Sequence, residues 1–236
     1  MGSENANKAG AIDPSVNECL GGTPASIIHM MQDAATPVNM AERIKTLLAS
    51  LRQLTMAQAV APFLEDWPEA YLPRAVTPSH LPVLRWLPDI VRDPAAFGID
   101  VVTAVGRAAP SMAWRQTYST QDVDAAFLDN YGWSEILGAS GPLGAERIAC
   151  GFLMLGPSTH YPRHRHEAEE LYVPLSGTAA WQQGDAPWRE RSPGTAIHHA
   201  RNEPHAMRTG AQALLALYLW RSANLEQKAR LDAVAG

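Results

Sequence analysis

The segment His164-Arg165-His166-Glu167-Ala168-Glu169-Glu170-Leu171-Tyr172, joined far down the chain by His205, holds the residue types that bind a transition metal. Two histidines at i and i+2, a carboxylate four residues past the second, and a distant third histidine offer imidazole and carboxylate donors. A borderline divalent ion prefers that set. Tyr172, two residues beyond Glu170, is the odd member and hints at the chemistry.

Strand geometry constrains how these side chains could meet. Along a strand, successive residues point to opposite faces, so His164 and His166 share a face, as do Glu170 and Tyr172. A straight strand from 164 to 172 would span roughly 26 Å, too far for one ion. The chain must therefore turn around 167–169. The reading places His164 and His166 on one strand, Glu170 and Tyr172 on its antiparallel neighbour, and His205 on another strand closing the site. Glu169 has the wrong parity for the metal. Arg163 and Arg165 alternate away from it and are expected to be solvated. His160, His198 and His199 are expected either behind the ligands, supporting them, or at the surface.

The elements that position these residues fall into an α+β pattern. Residues 1–25 read as a disordered leader. Residues 26–110 read as a mainly helical region. In it Ile44, Leu47, Leu48, Leu51 and Leu54 form an apolar stripe on a helix capped by Asn39. A second helix is expected from Met56 to about Leu64, and one or two short ones over 89–108. Prolines at 68, 73, 78, 82 and 88 punctuate the stretch between. Residues 111–223 read as an antiparallel β-barrel, with strands at Ala113–Tyr118, Arg147–Leu155, Glu170–Leu175, Thr178–Gln183, Gly194–His198, His205–Thr209 and Ala213–Trp220. A short helix is expected over Asp122–Asn130. Ser176-Gly177, Gly184-Asp185 and Pro193-Gly194 supply turns. Residues 224–236 are expected to be a C-terminal helix.

With 236 residues, 46% of them apolar, the chain can bury a substantial core. A net charge of −5 with no Lys/Arg run argues against a nucleic-acid partner. No apolar run is long enough to cross a membrane, and no secretory signal is apparent, so a cytoplasmic location is expected. Cys19 and Cys150 match no paired pattern and are expected as free thiols.

The spacing Gly156…His164-x-His166-x3-Glu170-x6-Gly177 resembles the first cupin motif, apart from a wider gap after the first glycine. Pro193-Gly194…Pro204-His205 resembles the second, stretched by an insertion carrying His198 and His199. More narrowly, Tyr161-Pro162-x-His164-x-His166-x3-Glu170-Leu171-Tyr172 resembles the cupin-type dimethylsulfoniopropionate (DMSP) lyases of marine bacteria. Trp181, Pro187-Trp188-Arg189 and Trp220 extend the likeness. The resemblance implies a jelly-roll barrel with one divalent transition metal ion (zinc, iron or manganese foremost) held by His164, His166, Glu170 and His205. It also implies cleavage of DMSP by β-elimination to acrylate and dimethyl sulfide.

The residues suit that reaction. A metal can hold the substrate carboxylate and stabilise the charge that develops as the α-proton leaves. Beside such a cation a tyrosyl phenolate becomes accessible, so Tyr172 is the expected base. The sulfonium calls for aromatic faces. Tyr218 and Trp220 share a face of their strand, with Leu215, Leu217 and Leu219 on the other. By the family pattern Trp220 faces the pocket and Tyr161 lies near the substrate. Trp181 and Trp188 are expected in the core or at the rim. Two other readings stand beside this one: a mononuclear-iron dioxygenase, and a cupin that binds a small ligand without turning it over. A homodimer through exposed barrel faces is compatible with all three.

Overall fold

Two mostly antiparallel sheets face each other, and helices cover the outer side of the larger one. This is the arrangement in a computed structural model that describes residues 36–54 and 57–232. The expected leader over 1–25, Cys19 and residues 233–236 lie outside the described residues. The helices are α1 (Pro37–Leu54), α2 (Ala57–Glu65), α3 (Leu87–Val91), α4 (Ile99–Ala108) and α5 (Ala125–Asp129). The strands are β1 (Leu72–Pro73), β2 (Tyr131–Gly138), β3 (Leu143–Gly144), β4 (Ile148–Leu155), β5 (His160–Arg165) and β6 (Glu169–Ser176). They continue with β7 (Ala179–Gln183), β8 (Arg189–Arg191), β9 (Ile197–His199), β10 (His205–Thr209), β11 (Leu214–Arg221) and β12 (Arg230–Leu231).

The larger sheet runs β1-β3-β2-β4-β11-β6-β9 and the smaller runs β12-β5-β10-β7-β8. Among these strands only β2 and β3 pair in parallel. The fold is the α+β one expected: a helical N-terminal region followed by an antiparallel cupin-type jelly roll.

Strand parity divides the interior into two cores. Leu215, Leu217 and Leu219 of β11, with Cys150, Phe152 and Met154 of β4 and Leu171 and Val173 of β6, face the helices. There they pack with Met40, Ile44, Leu48, Phe63, Val101 and Val105. The alternate residues, Ala216 and Tyr218 of β11, Leu153 of β4 and Tyr172 of β6, face the barrel interior with Tyr131, Tyr161, Trp181 and Met207. Both faces of this sheet are buried. The helical half therefore forms the outer layer packed against the site-bearing sheet. Cys150 is a buried free thiol, its ionisation pushed up by burial and then by Glu135.

Several local expectations are corrected. Thr36, not Asn39, caps α1: Asn39 N–H donates to its Oγ1 at 3.3 Å. Pro37 opens the helix because its missing N–H costs nothing there. Residues 113–118 form single bridges, Ser79 with Ala113 and Arg115 with Trp133, rather than a strand. Asp124 caps α5 through a 2.7 Å bond from Phe127 N–H. Residues 224–232 do not continue as a helix but make a turn and then β12, paired with Arg165 and His164 of β5. Arg163 and Arg165 are not simply solvated. Both pair with Asp232, Arg165 bidentately at 2.6 and 2.7 Å, and this fastens the C-terminal segment to β5.

Candidate active site

The turn over 166–168 does not join neighbouring strands of one sheet, as the spacing had suggested. It carries the chain from β5 in the small sheet to β6 in the large one. His164 and His166 therefore look across the barrel at Glu170 and Tyr172. His205 enters from β10, directly opposite His164 in the register. Three donors come together: a ring nitrogen of His166, a carboxylate oxygen of Glu170 and a ring nitrogen of His205 lie within 4.8 Å of one another. All three residues are buried. His164 falls outside that grouping. Its ring lies edge-on to His205 at 4.2 Å and stacks on Tyr161 at 4.0 Å.

The three histidines share one hydrogen-bonding habit. Nδ1 donates to the carbonyl of Pro162 from His164 (2.8 Å), of Ala168 from His166 (2.9 Å) and of Glu203 from His205 (2.9 Å). A carbonyl only accepts, so the proton of each neutral ring resides on Nδ1 and Nε2 keeps its lone pair. In His166 and His205 that Nε2 lies 3.0 and 3.1 Å from Oε2 of Glu170. Lone pairs facing a carboxylate repel unless a proton or a metal cation stands between them. This donor set fits a divalent metal.

The charges respond accordingly. Burial opposes a charge on His166, yet the Glu170 carboxylate prevails and its pKa lies above the usual imidazole value. Burial disfavours ionised Glu170, but His166 and His205 hold its carboxyl well below the usual range. Burial, then His205, pushes His164 well down and leaves it neutral.

Trp220 was expected only as an aromatic wall. It lines the cavity, but its indole N–H also donates to Oε1 of Glu170 at 2.6 Å. Its ring lies over His166 at 4.3 Å. His199 is fully buried rather than at the surface, stacked on His205 at 4.0 Å, with neither ring nitrogen hydrogen-bonded. His198 is half-exposed and bound to Glu169 at 2.8 Å.

A cavity of about 390 Å³ opens beside these residues. His164, His166, Glu170, Tyr172, Tyr161, Tyr218 and Trp220 line one side. Tyr172 is buried, its hydroxyl pushed well up by burial and by Glu170. Trp181 lies in the core rather than on the cavity. β2 adds Tyr131, Trp133 and Glu135, which carried no motif in the sequence. Their only signal is the i, i+2 spacing of three large or charged side chains ahead of β4. Residues Leu225–Ala229 also line the cavity, tied down by the Gln227 side-chain oxygen Oε1, which accepts from Glu167 N–H at 2.6 Å.

A buried His₂–Glu cluster at the end of an aromatic cavity, inside a jelly-roll barrel, defines a cupin-type enzyme site. The chain belongs to the dimethylsulfoniopropionate lyase family, whose model matches residues 56–216. Dimethylsulfoniopropionate lyase DddQ of Ruegeria pomeroyi is 30% identical over 180 residues, 75% of this chain and 88% of DddQ. The putative dimethylsulfoniopropionate lyase DddL of Cereibacter sphaeroides is 38% identical over 120 residues, about half of each chain (50% and 49%). The crystal structure of R. pomeroyi DddQ is similar with a TM-score of 0.66 at 29% identity, covering 83% of this chain and 98% of DddQ. A second solved structure, from work on the DMSP lyases RdDddP and RnDddQII, gives a TM-score of 0.70 at 29% identity, covering 84% of this chain and all of that one. The family is one of carbon–sulfur lyases, and this chain is an enzyme of that kind.

Proposed function

We propose that this protein cleaves DMSP by β-elimination to acrylate and dimethyl sulfide, with one divalent transition metal ion held by His164, His166, Glu170 and His205. The observation that carries the metal is the shared tautomer, which turns the Nε2 atoms of His166 and His205 toward one carboxylate oxygen. His164, its Nδ1 likewise tied to a carbonyl, is the fourth donor. The bound ion supplies positive charge that favours the tyrosyl anion and the enolate-like charge on the substrate carboxylate.

The chain's own residues do the rest. Tyr172, next to Glu170 in parity on β6, receives the α-proton on its phenol oxygen. The C–H electron pair becomes the new C=C bond as the β-carbon–sulfur bond breaks. That bond's electrons leave on sulfur as neutral dimethyl sulfide. Trp220 holds Glu170 in place through its indole N–H and offers the sulfonium a π-face together with Tyr218. Tyr161 stacks on His164 and fixes that ring.

The test is headspace gas chromatography of metal-loaded protein with DMSP, with and without oxygen. Equimolar dimethyl sulfide and acrylate in both conditions is the expected result. Product that needs oxygen would instead mark a dioxygenase. No product from folded, metal-replete protein would overturn the lyase reading.

A further inference from the structure

Besides Glu170, two carboxylates line the cavity among the described residues: Glu226, exposed near the C-terminal end, and Glu135, buried in the larger sheet. Glu135 lies on β2, is 9% exposed, and lines the same cavity as Trp133, Tyr218 and Trp220. Its Oε1 accepts from Ser140 N–H at 2.6 Å, Gly141 N–H at 2.7 Å and the Ser140 hydroxyl at 3.1 Å. Its Oε2 has no hydrogen-bond partner among the described residues, and it is not among the sealed, unpartnered atoms. That oxygen therefore opens on the cavity. Arg115 lines the same cavity and its positive charge acts on Glu135, but the two make no direct ion pair. Arg115 instead donates to the Ser140 carbonyl at 3.2 Å and lies over Trp133.

The local structure orients this carboxylate. The 138–141 turn wraps Oε1, and Gly138 (φ 143°) is needed there because a Cβ would come within 2.7 Å of the Glu135 carboxyl carbon. A neutral amide could hold the same turn through its oxygen. A charge is not needed for that job: burial pushes the Glu135 carboxyl up from its ordinary value, opposed by the Ser140 and Gly141 donors and then by Arg115, so keeping a charge here is costly.

Register shows what the charge faces. Glu135 pairs with Gly151, Gly151 with Tyr218, and Tyr218 with Tyr172, which makes one inward row across β2, β4, β11 and β6. Gly151 leaves a gap in this row, since a Cβ there would strike the Ser134 carbonyl oxygen at 2.1 Å, Glu135 Cα at 2.8 Å and the Tyr218 ring at 2.9 Å. Tyr218 therefore lies over the gap, with Trp133 edge-on at 6.4 Å and Trp220 at 6.5 Å. The cavity thus has a metal-ligand end at Glu170 and a second buried carboxylate at Glu135, with Arg115 also in its lining and aromatic faces between the two carboxylates.

We infer that Glu135 is the counter-charge for the cationic end of the substrate, so that the site selects zwitterions carrying an onium group opposite a carboxylate. This rests on the lyase reading for its substrate class. The carboxylate end would meet the metal and Tyr172, while the onium points along the row toward Tyr218 and Glu135. The carboxylate acts through its field and requires no direct contact.

The experiment is calorimetric binding to metal-loaded protein, with two probes of equal shape: the trimethylammonio analogue of DMSP and its uncharged tert-butyl isostere. Wild-type protein should bind the cation at least about tenfold more tightly. Equal affinities would overturn the inference without any variant. Glu135→Gln keeps the turn's acceptor and removes the charge. It should weaken the cation by about tenfold or more, leave the isostere nearly unchanged, and raise KM for DMSP more than it lowers kcat. Equal loss for both probes would assign Glu135 to the turn alone. Both probes can be measured whether or not DMSP is cleaved. Absent turnover with intact charge discrimination would fail the lyase chemistry and leave this site standing.

Discussion

Glu170 is held from two sides at once: Trp220 Nε1–H donates to its Oε1 at 2.6 Å, while its Oε2 faces His166 at 3.0 Å and His205 at 3.1 Å. The pairing follows from register, because Trp220 of β11 lies directly opposite Glu170 of β6. One carboxylate thereby joins the aromatic wall to the metal ligands.

Trp220→Phe therefore tests a support rather than a wall. Phenylalanine keeps a π-face but cannot donate to Glu170. Removing such a partner of a ligand costs roughly 10–100-fold in metal affinity. Competition with a chelator should show that loss. Unchanged metal affinity with a raised KM would restrict Trp220 to the substrate.

His166→Ala and His205→Ala should each strip the metal and abolish turnover, because each removes one of three converging donors. Metal content after dialysis is the measurement, and full occupancy in both variants would sink the assignment. His199→Ala is the control. It removes a buried ring that stacks on His205 without joining the donor group. It should lower thermal stability more than metal content.

Tyr172→Phe separates metal binding from chemistry. The ring stays packed in the barrel core, so stability and metal content should hold. Loss of a positioned base lowers kcat by about 10²–10⁴-fold. Near-normal dimethyl sulfide release would remove Tyr172 from that role.

Much of this site could be read from residue spacing because its ligands sit in one short segment. The i, i+2 histidines and the parity of Glu170 with Tyr172 survive any arrangement of strands, and so did the alternation along β11. What the spacing could not show was that β5 and β6 belong to different sheets. A short turn within one hairpin and a short turn between sheets look alike until β10 and β12 claim the edges of β5. β2 escaped notice because both its faces are buried, so Tyr131–Gly138 shows no clean apolar–polar alternation. Glu135 and Trp133 went unseen with it. The segment Leu225-Glu-Gln-Lys-Ala-Arg-Leu231 has good helix formers. Tertiary contacts override them, since Asp232 is clamped by Arg163 and Arg165 and β12 pairs with β5.

The pH dependence of stability should distinguish stripped from loaded protein. His166 is raised above its ordinary 6.5, so the stability it draws from Glu170 is present below that value and lost as pH rises through the raised one. Glu170 is depressed below its ordinary 4.5, so its contribution is present above that value and lost as pH falls through the depressed one. Stripped protein should therefore be most stable between these limits and lose Tm as pH rises through the raised His166 value. A metal ion needs those rings uncharged, and its binding strengthens as pH rises. At a thousandfold excess over Kd, metal adds about 4 kcal/mol, or about 8–16 °C in Tm for a chain of this size. Thermal melts between pH 6 and 9 should show that gap widening with pH. A gap that narrows would mean that protons, not a metal ion, are the natural partners of Glu170.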